Sequence, residues 1–261
     1  MQAPSTLDGP ATAAMPSSRP AAARRRRVVD APTRMFHWLF ALSFAGAYLT
    51  ADGERWRALH VTLGYVLAGL LVFRLVYGLV GPRHARLSLL LRKLQAAPAW
   101  LSAMADGVRQ RGLQGLPWRQ GQNLLMALAV VALLALTLPL TLSGYASLND
   151  WGAGLGGDWL EELHEFFGNA FLALVLAHLG LIAGLSLLRR RNQAQAILTG
   201  HIDGPGPDLV RRNHGWLAAL LLLAVLAFGA WQWQQAPAGL AADCQASYHC
   251  DEACTPGASD G

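Results

Sequence analysis

Charge is what this chain of 261 residues has least of. Asp, Glu, Lys and Arg make up 14% of it, against 53% hydrophobic residues. No soluble core of this size needs so much Leu, Ala and Val, which excludes a water-soluble globule and indicates a membrane-embedded helical class. Alternating ten-residue hydrophobic segments are missing, which excludes a membrane β-barrel. An internal repeat is missing as well. Cysteine is confined to Cys244, Cys250 and Cys254, all close to the carboxyl end.

What is present is a set of long apolar runs. About 20 apolar residues cross the hydrocarbon of a bilayer, and fewer suffice where flanking charges snorkel. Five segments qualify: 33–50, 59–80, 123–147, 160–188 and 215–234, of which the first is shortest. Lipid offers the backbone no hydrogen-bond partner, so each run is expected as a helix and the fold as an all-α integral membrane bundle.

Positive charge is distributed unevenly between the runs. The amino-terminal arm, the loop after the second run and the segment after the fourth carry 18 Lys and Arg, whereas the opposite side has only Arg55 and Arg57. The positive-inside rule places the amino terminus in the cytoplasm and the carboxyl terminus outside. The net charge of +5 is therefore a topology signal, and nucleic acid is not an expected partner. Residues 1–27, rich in Ala, Pro and Ser up to Arg24–Arg27, are expected as a disordered cytoplasmic arm. An export signal cleaved near Ala51 is the competing reading. A retained span is preferred, because cleavage would discard His37 and leave His178 without a partner.

Four of the eight histidines, His37, His60, His164 and His178, fall within or at the edge of these runs. Ionisable side chains are costly in a membrane and face protein, so each is a candidate ligand. A lone example is more simply a histidine bonded to a neighbouring helix, but four together require another account. His164 and His178 are fourteen residues apart, about 21 Å along a helix axis and within roughly 40° of one face. Given the topology, His60 shares the outer level with His164 and His37 the inner level with His178. Two imidazole pairs at two depths in an apolar bundle are what two bis-histidine haems require. Four-coordinate zinc needs its ligands at one level, and a proton relay ordinarily includes carboxylates within the membrane; Glu161, Glu162 and Glu165 lie at the outer edge.

Gly64 and Gly168 each follow an outer-level histidine by four residues, where a missing side chain lets a flat ring approach. Arg74 follows His60 by fourteen, which puts it on the same face near the inner level. There it could pair with a haem propionate or snorkel to the interface. His84, His201 and His214 lie in cytoplasmic loops and are expected to be solvated or interfacial.

The stretches "VVDAPTRMFHWLFAL" at 28–42, "RALHVTLGYVLAGLLVFRLVYGLVGPRHARL" at 57–87, "LHEFFGNAFLALVLAHLGLIAG" at 163–184 and "QAILTGH" at 195–201 resemble the bacterial cytochrome b561 and nickel-hydrogenase b-type cytochrome family. The resemblance implies a four-helix core that holds two haems b and passes electrons across the inner membrane. The partners it implies are a periplasmic cytochrome c or dehydrogenase subunit and the quinone pool or another membrane acceptor of a respiratory chain. It also implies His37, His60, His164 and His178 as axial ligands, and Arg74 matches the family pattern. The chain departs from the family at "LPWRQGQNLLMAL", where an HNP-like turn is expected, and in carrying a fifth run and a tail.

The expected organisation is thus an arm over 1–27, a four-helix dihaem core over 28–201, a linker and fifth transmembrane helix over 202–234, and a periplasmic tail over 235–261. The tail has no CxxCH for a c-type haem. A single disulfide is its favoured reading, and a Cys3His metal site with His249 the alternative. The basic and apolar loop at 83–112 suits an interfacial helix on anionic lipid, with a cytoplasmic protein partner as the competing reading. No catalytic acid, base or nucleophile is in view, so the chain reads as an electron-transfer protein whose enzymatic form would be the cytochrome subunit of an oxidoreductase. The competing classes are a transporter or metal-handling protein with pathway histidines, and a non-haem membrane scaffold. Against transport, Pro139 stands alone and no repeated halves carry broken spans.

Overall fold

A computed structural model describes residues 25–111, 118–152, 159–204 and 206–252. The order is β1 (Arg25–Arg27), α1 (Ala31–Leu49), α2 (Arg57–Val80), α3 (Leu87–Gln95), α4 (Ala97–Arg111), α5 (Trp118–Leu148), α6 (Trp159–Arg189), α7 (Gln195–Thr199), β2 (His201–Asp203) and α8 (Gly215–Glu252), with short 3-10 turns at Glu54–Trp56 and Arg83–Ala85. The protein is a helical membrane bundle. Among the described residues, four helices are long and apolar enough to span a bilayer: α2, α5 over Gln120–Leu148, α6, and α8 over Gly215–Gln235. The first expected run forms α1, whose 19 residues are not among those four.

Local chemistry sets the ends of these helices. The Asp30 side chain accepts from the Thr33 N–H at the start of α1, and Pro stands in the first turn, both favoured where N–H groups lack helical partners. Gly81 and Pro82 end α2, because proline cannot extend a helix. Gly200 takes φ +80° beyond α7, and its N–H returns to the Ala196 carbonyl at 2.9 Å, a left-handed cap that glycine adopts at little cost.

Helices α5 and α6 pack on one another, α1 packs on α2 and α8, and α2 on α5. Phe44 of α1, Leu67 of α2, Leu140 of α5 and Phe171 of α6 form a buried cluster at the centre. A second cluster, Phe36, Val66 and Leu70, is covered by Leu221, Val225 and Phe228 of α8. Large apolar residues such as Leu79, Leu187 and Leu223 point outward and exposed, as they do where the surroundings are acyl chains.

Two expectations change at the ends of the chain. Arg25–Arg27, assigned to a disordered arm, form a strand antiparallel to β2, with Arg26 opposite Ile202. The Arg27 N–H donates to Asp208 at 2.8 Å, and the Val28 N–H to the Gly200 carbonyl at 2.9 Å. Pairing with a distant segment supplies the hydrogen bonds that composition alone could not forecast. The rest of the arm, residues 1–24, lies outside the described residues. At the other end the α8 backbone continues to Glu252 without a break at the expected start of the tail, through a stretch rich in helix-forming Ala. Cys254 lies outside the described residues.

Candidate functional site

The four intramembrane histidines meet in two pairs. The rings of His60 and His164 lie 5.9 Å apart between centroids, nearly perpendicular at 87°. The Nδ1 of His60 lies 2.8 Å from the Ala47 carbonyl in the last turn of α1, which also accepts from the Thr50 N–H at 3.2 Å. The Nδ1 of His164 lies 3.0 Å from the Leu140 carbonyl on α5, with the Ser143 hydroxyl at 3.3 Å. A carbonyl accepts only, so each ring donates through Nδ1–H, and its Nε2 keeps a lone pair. That tautomer suits metal ligation, since a second partner fixes both the ring and the coordinating nitrogen.

At the other level His37 of α1 and His178 of α6 lie close enough for their charges to interact. The Nδ1 atoms of both are buried and have no hydrogen-bond partner among the described residues. Buried polar atoms are otherwise nearly always satisfied, so this pair bears the mark of a site built for something beyond the chain's own packing.

The spacing between levels is set by sevens. Phe44 follows His37 by seven residues, Leu67 follows His60 by seven, and Phe171 stands seven from both His164 and His178. Seven steps bring a helical position back to within about 20° of its face and advance it roughly 10 Å. These three side chains, with Leu140, are the central cluster. The layer that separates the two levels is thus a dry plug on the same helix faces as the histidines.

The helix faces beside the outer pair carry little side-chain bulk. Helix α6 packs most closely on α5, and its Phe171 reaches Phe44 of α1 at 4.4 Å between centroids. A Cβ on Gly64, four residues after His60, would meet nothing within 4 Å, and one on Gly168 would touch only Leu140 Cδ1 at 4.0 Å. Gly144 of α5 differs. A Cβ there would come within 2.8 Å of His164 Cε1 and 3.0 Å of its Nδ1, so this position admits the His164 ring only as glycine. Sequence reasoning did not find Gly144, which is remote from every histidine in the chain; its only signal is a small residue on the helix packed against α6. Among the described residues no three of His, Cys, Asp or Glu gather into a metal site, and the histidines act as pairs.

Arg74 is buried, with its Nη1 donating to the Ala85 carbonyl at 2.9 Å, rather than snorkelling outward. Beside it, Asp30 is fully buried and accepts from the Tyr77 hydroxyl, from Thr33 N–H at 3.2 Å and from His84 Nε2 at 2.9 Å. Burial alone would raise the Asp30 carboxyl, but the hydrogen bonds from Thr33, Tyr77 and His84 outweigh it and hold the group below the usual carboxylate range. His84 is expected from sequence as a solvated or interfacial loop residue. The 3-10 turn after Pro82 folds it back onto the start of α1, where a buried carboxylate receives it. His201 and His214 remain partly exposed. The Cys3His alternative for the tail cannot be placed, since Cys254 lies outside the described residues.

Apolar helices that bring together one carbonyl-oriented pair of histidines, with two further histidines buried and unpartnered at another depth, are in keeping with a membrane cytochrome of b type. The model of the prokaryotic cytochrome b561 family matches residues 28–200, two thirds of the chain and the whole of the histidine-bearing core. The chain belongs to the prokaryotic cytochrome b561 family, whose members bind haem b and transfer electrons in the membrane. No curated protein and no solved structure matches the chain significantly.

Proposed function

We propose that the protein holds two haems b and conducts electrons across the inner membrane between a periplasmic redox partner and the quinone pool or another membrane acceptor. His60 and His164 would hold the outer haem, and His37 and His178 the inner one. The observation that carries this reading is the outer pair: two rings 5.9 Å apart, each bonded to a backbone carbonyl through Nδ1, leaving two unprotonated nitrogens for one iron.

The haems supply reversible one-electron iron chemistry; the chain supplies position, dryness and charge. The Ala47 and Leu140 carbonyls keep the outer imidazoles in their ligating tautomer. Phe44, Leu67 and Phe171 hold the two levels apart and exclude water. Arg74 presents a buried guanidinium at the inner level, where its donors beyond the one given to Ala85 suit a propionate. The amino terminus lies in the cytoplasm by the distribution of Arg and Lys. With the carboxyl end outside, Cys244 and Cys250 would stand on the periplasmic side, where a redox partner would dock.

A reduced-minus-oxidised optical spectrum of the purified protein, combined with haem quantification, tests this. Two low-spin b haems per chain are expected. Absence of haem after expression in a haem-replete host would instead favour a transporter or scaffold.

A further inference from the structure

The groups around Asp30 form a polar cluster that ligand geometry does not require. Asp30 is 0% exposed, whereas His84 keeps 16% of its side-chain surface exposed. Asp30 accepts from His84 through Nε2, so the neutral ring donates there and its outer nitrogen, Nδ1, is the atom able to take a proton. Such a carboxylate–imidazole dyad orients the ring and stabilises the imidazolium.

The charge around the dyad is otherwise fixed. From α1 come Asp30 and Arg34, the latter on the Ile197 and Leu198 carbonyls. From α2 come Arg74 and Tyr77. The turn itself adds Arg83 and Arg86, and from the segment beyond α7 Asp208 is held on the Arg27 N–H. Every guanidinium stays cationic throughout the neutral range, and the Asp30 carboxylate stays anionic. Among these groups His84 alone carries an imidazole, the side chain whose ordinary proton exchange falls between that of carboxylates and that of guanidiniums.

The dyad also stands close to one haem level and far from the other. Asp30 precedes His37 by seven residues, about 10 Å along the axis and within roughly 20° of the same face. Ring contacts lead from Tyr77, which donates to Asp30, to Phe73 at 5.6 Å and on to Phe36 at 6.5 Å, the residue before His37. Water does not screen a charge across such packed rings, and at an effective dielectric of about 20 a unit charge some 10 Å away changes an equilibrium constant by roughly tenfold. His60 and His164, a further four turns or so away, feel it far less.

We infer that the Asp30–His84 dyad is a proton-binding site coupled to the inner histidine pair, so that an electron arriving at that level draws one proton from cytoplasmic water onto His84 Nδ1. The balance is one electron and one proton: both arrive on reduction and both leave on oxidation, with the electron exchanged with the outer level or with a quinone-class partner. Negative charge gained at the inner level stabilises the imidazolium, and low pH therefore favours reduction. This inference rests on the dihaem reading.

The test is a spectroelectrochemical titration of the full-length holoprotein across the neutral pH range, comparing wild type with His84→Gln and Asp30→Asn. The wild-type inner midpoint is expected to fall as pH rises, by about a tenfold change in equilibrium constant in total, or about 59 mV for one electron. His84→Gln, which can still donate to Asp30, should keep both haems and lose this component, while the haem carboxylates' own contribution persists in every variant. Asp30→Asn keeps the helix cap and should move the transition to lower pH. An inner midpoint whose pH dependence is the same in all three proteins overturns the inference alone. Retention of both haems in His37→Ala overturns the dihaem reading, and this inference with it.

Discussion

The rings of Phe44 and Phe171 lie 4.4 Å apart between centroids, and each stands seven residues from a histidine on its own helix. Phe171 is midway between His164 and His178 and is the largest fully buried side chain among the described residues. The contact that closes the centre of the bundle is therefore also the spacer between two sites. Because it belongs to neither site, it can be removed without touching a ligand.

Phe171→Ala should destabilise the protein by about 3–5 kcal/mol, the usual cost of emptying a well-packed aromatic site. Thermal unfolding of the detergent-solubilised protein measures it. A melting temperature equal to that of wild type would show that the plug does not hold the core.

The pairing makes opposite demands on the two histidines of α6. His164→Ala should remove the outer haem and spare the inner one, and His178→Ala the reverse, as read by haem content and by the two midpoints in a redox titration. Loss of the same haem in both variants would contradict the assignment by depth.

Gly144→Ala places a methyl group where His164 Cε1 is 2.8 Å away. The ring has to turn, which lengthens its bond to the Leu140 carbonyl and alters how it meets the iron. The expected result is a displaced low-spin resonance and midpoint for the outer haem, with the inner haem unaffected. Low-temperature electron paramagnetic resonance reads the ligand geometry directly, and a spectrum identical to wild type would refute the positioning role.

Asp30 gives a stability dependence on acid with a definite sign. Its hydrogen bonds hold the folded-state carboxyl below its ordinary value of about 3.9. The stabilisation is complete above that unfolded value and is lost as pH falls through the lower folded one. Melting temperature should thus decline below about pH 4, and more steeply in wild type than in Asp30→Asn, which keeps a cap without an ionisable group. Parallel acid limbs in the two proteins would exclude the carboxylate as the cause.

Much of the architecture was legible in the sequence because membrane helices declare themselves through composition. With no water in the bilayer, every backbone bond closes within its own segment, so length, apolarity and the histidine periodicity along α6 are properties of single stretches. The runs at 59–80, 160–188 and 215–234 coincide closely with α2, α6 and the apolar part of α8. The depths of His37, His60, His164 and His178 follow from the same one-dimensional arithmetic. Tertiary structure alone decided what each histidine touches. Ala47 and Leu140 offer carbonyls to His60 and His164 from other helices, Gly144 clears a ring 20 residues further along the chain, and Arg25–Arg27 find strand partners beyond α7. Asp30, Tyr77 and His84 converge at a helix end that no pattern within one segment describes. Helical periodicity fixes height and face, whereas which polar atoms meet across helices depends on how the faces pack, and that is a property of the folded bundle.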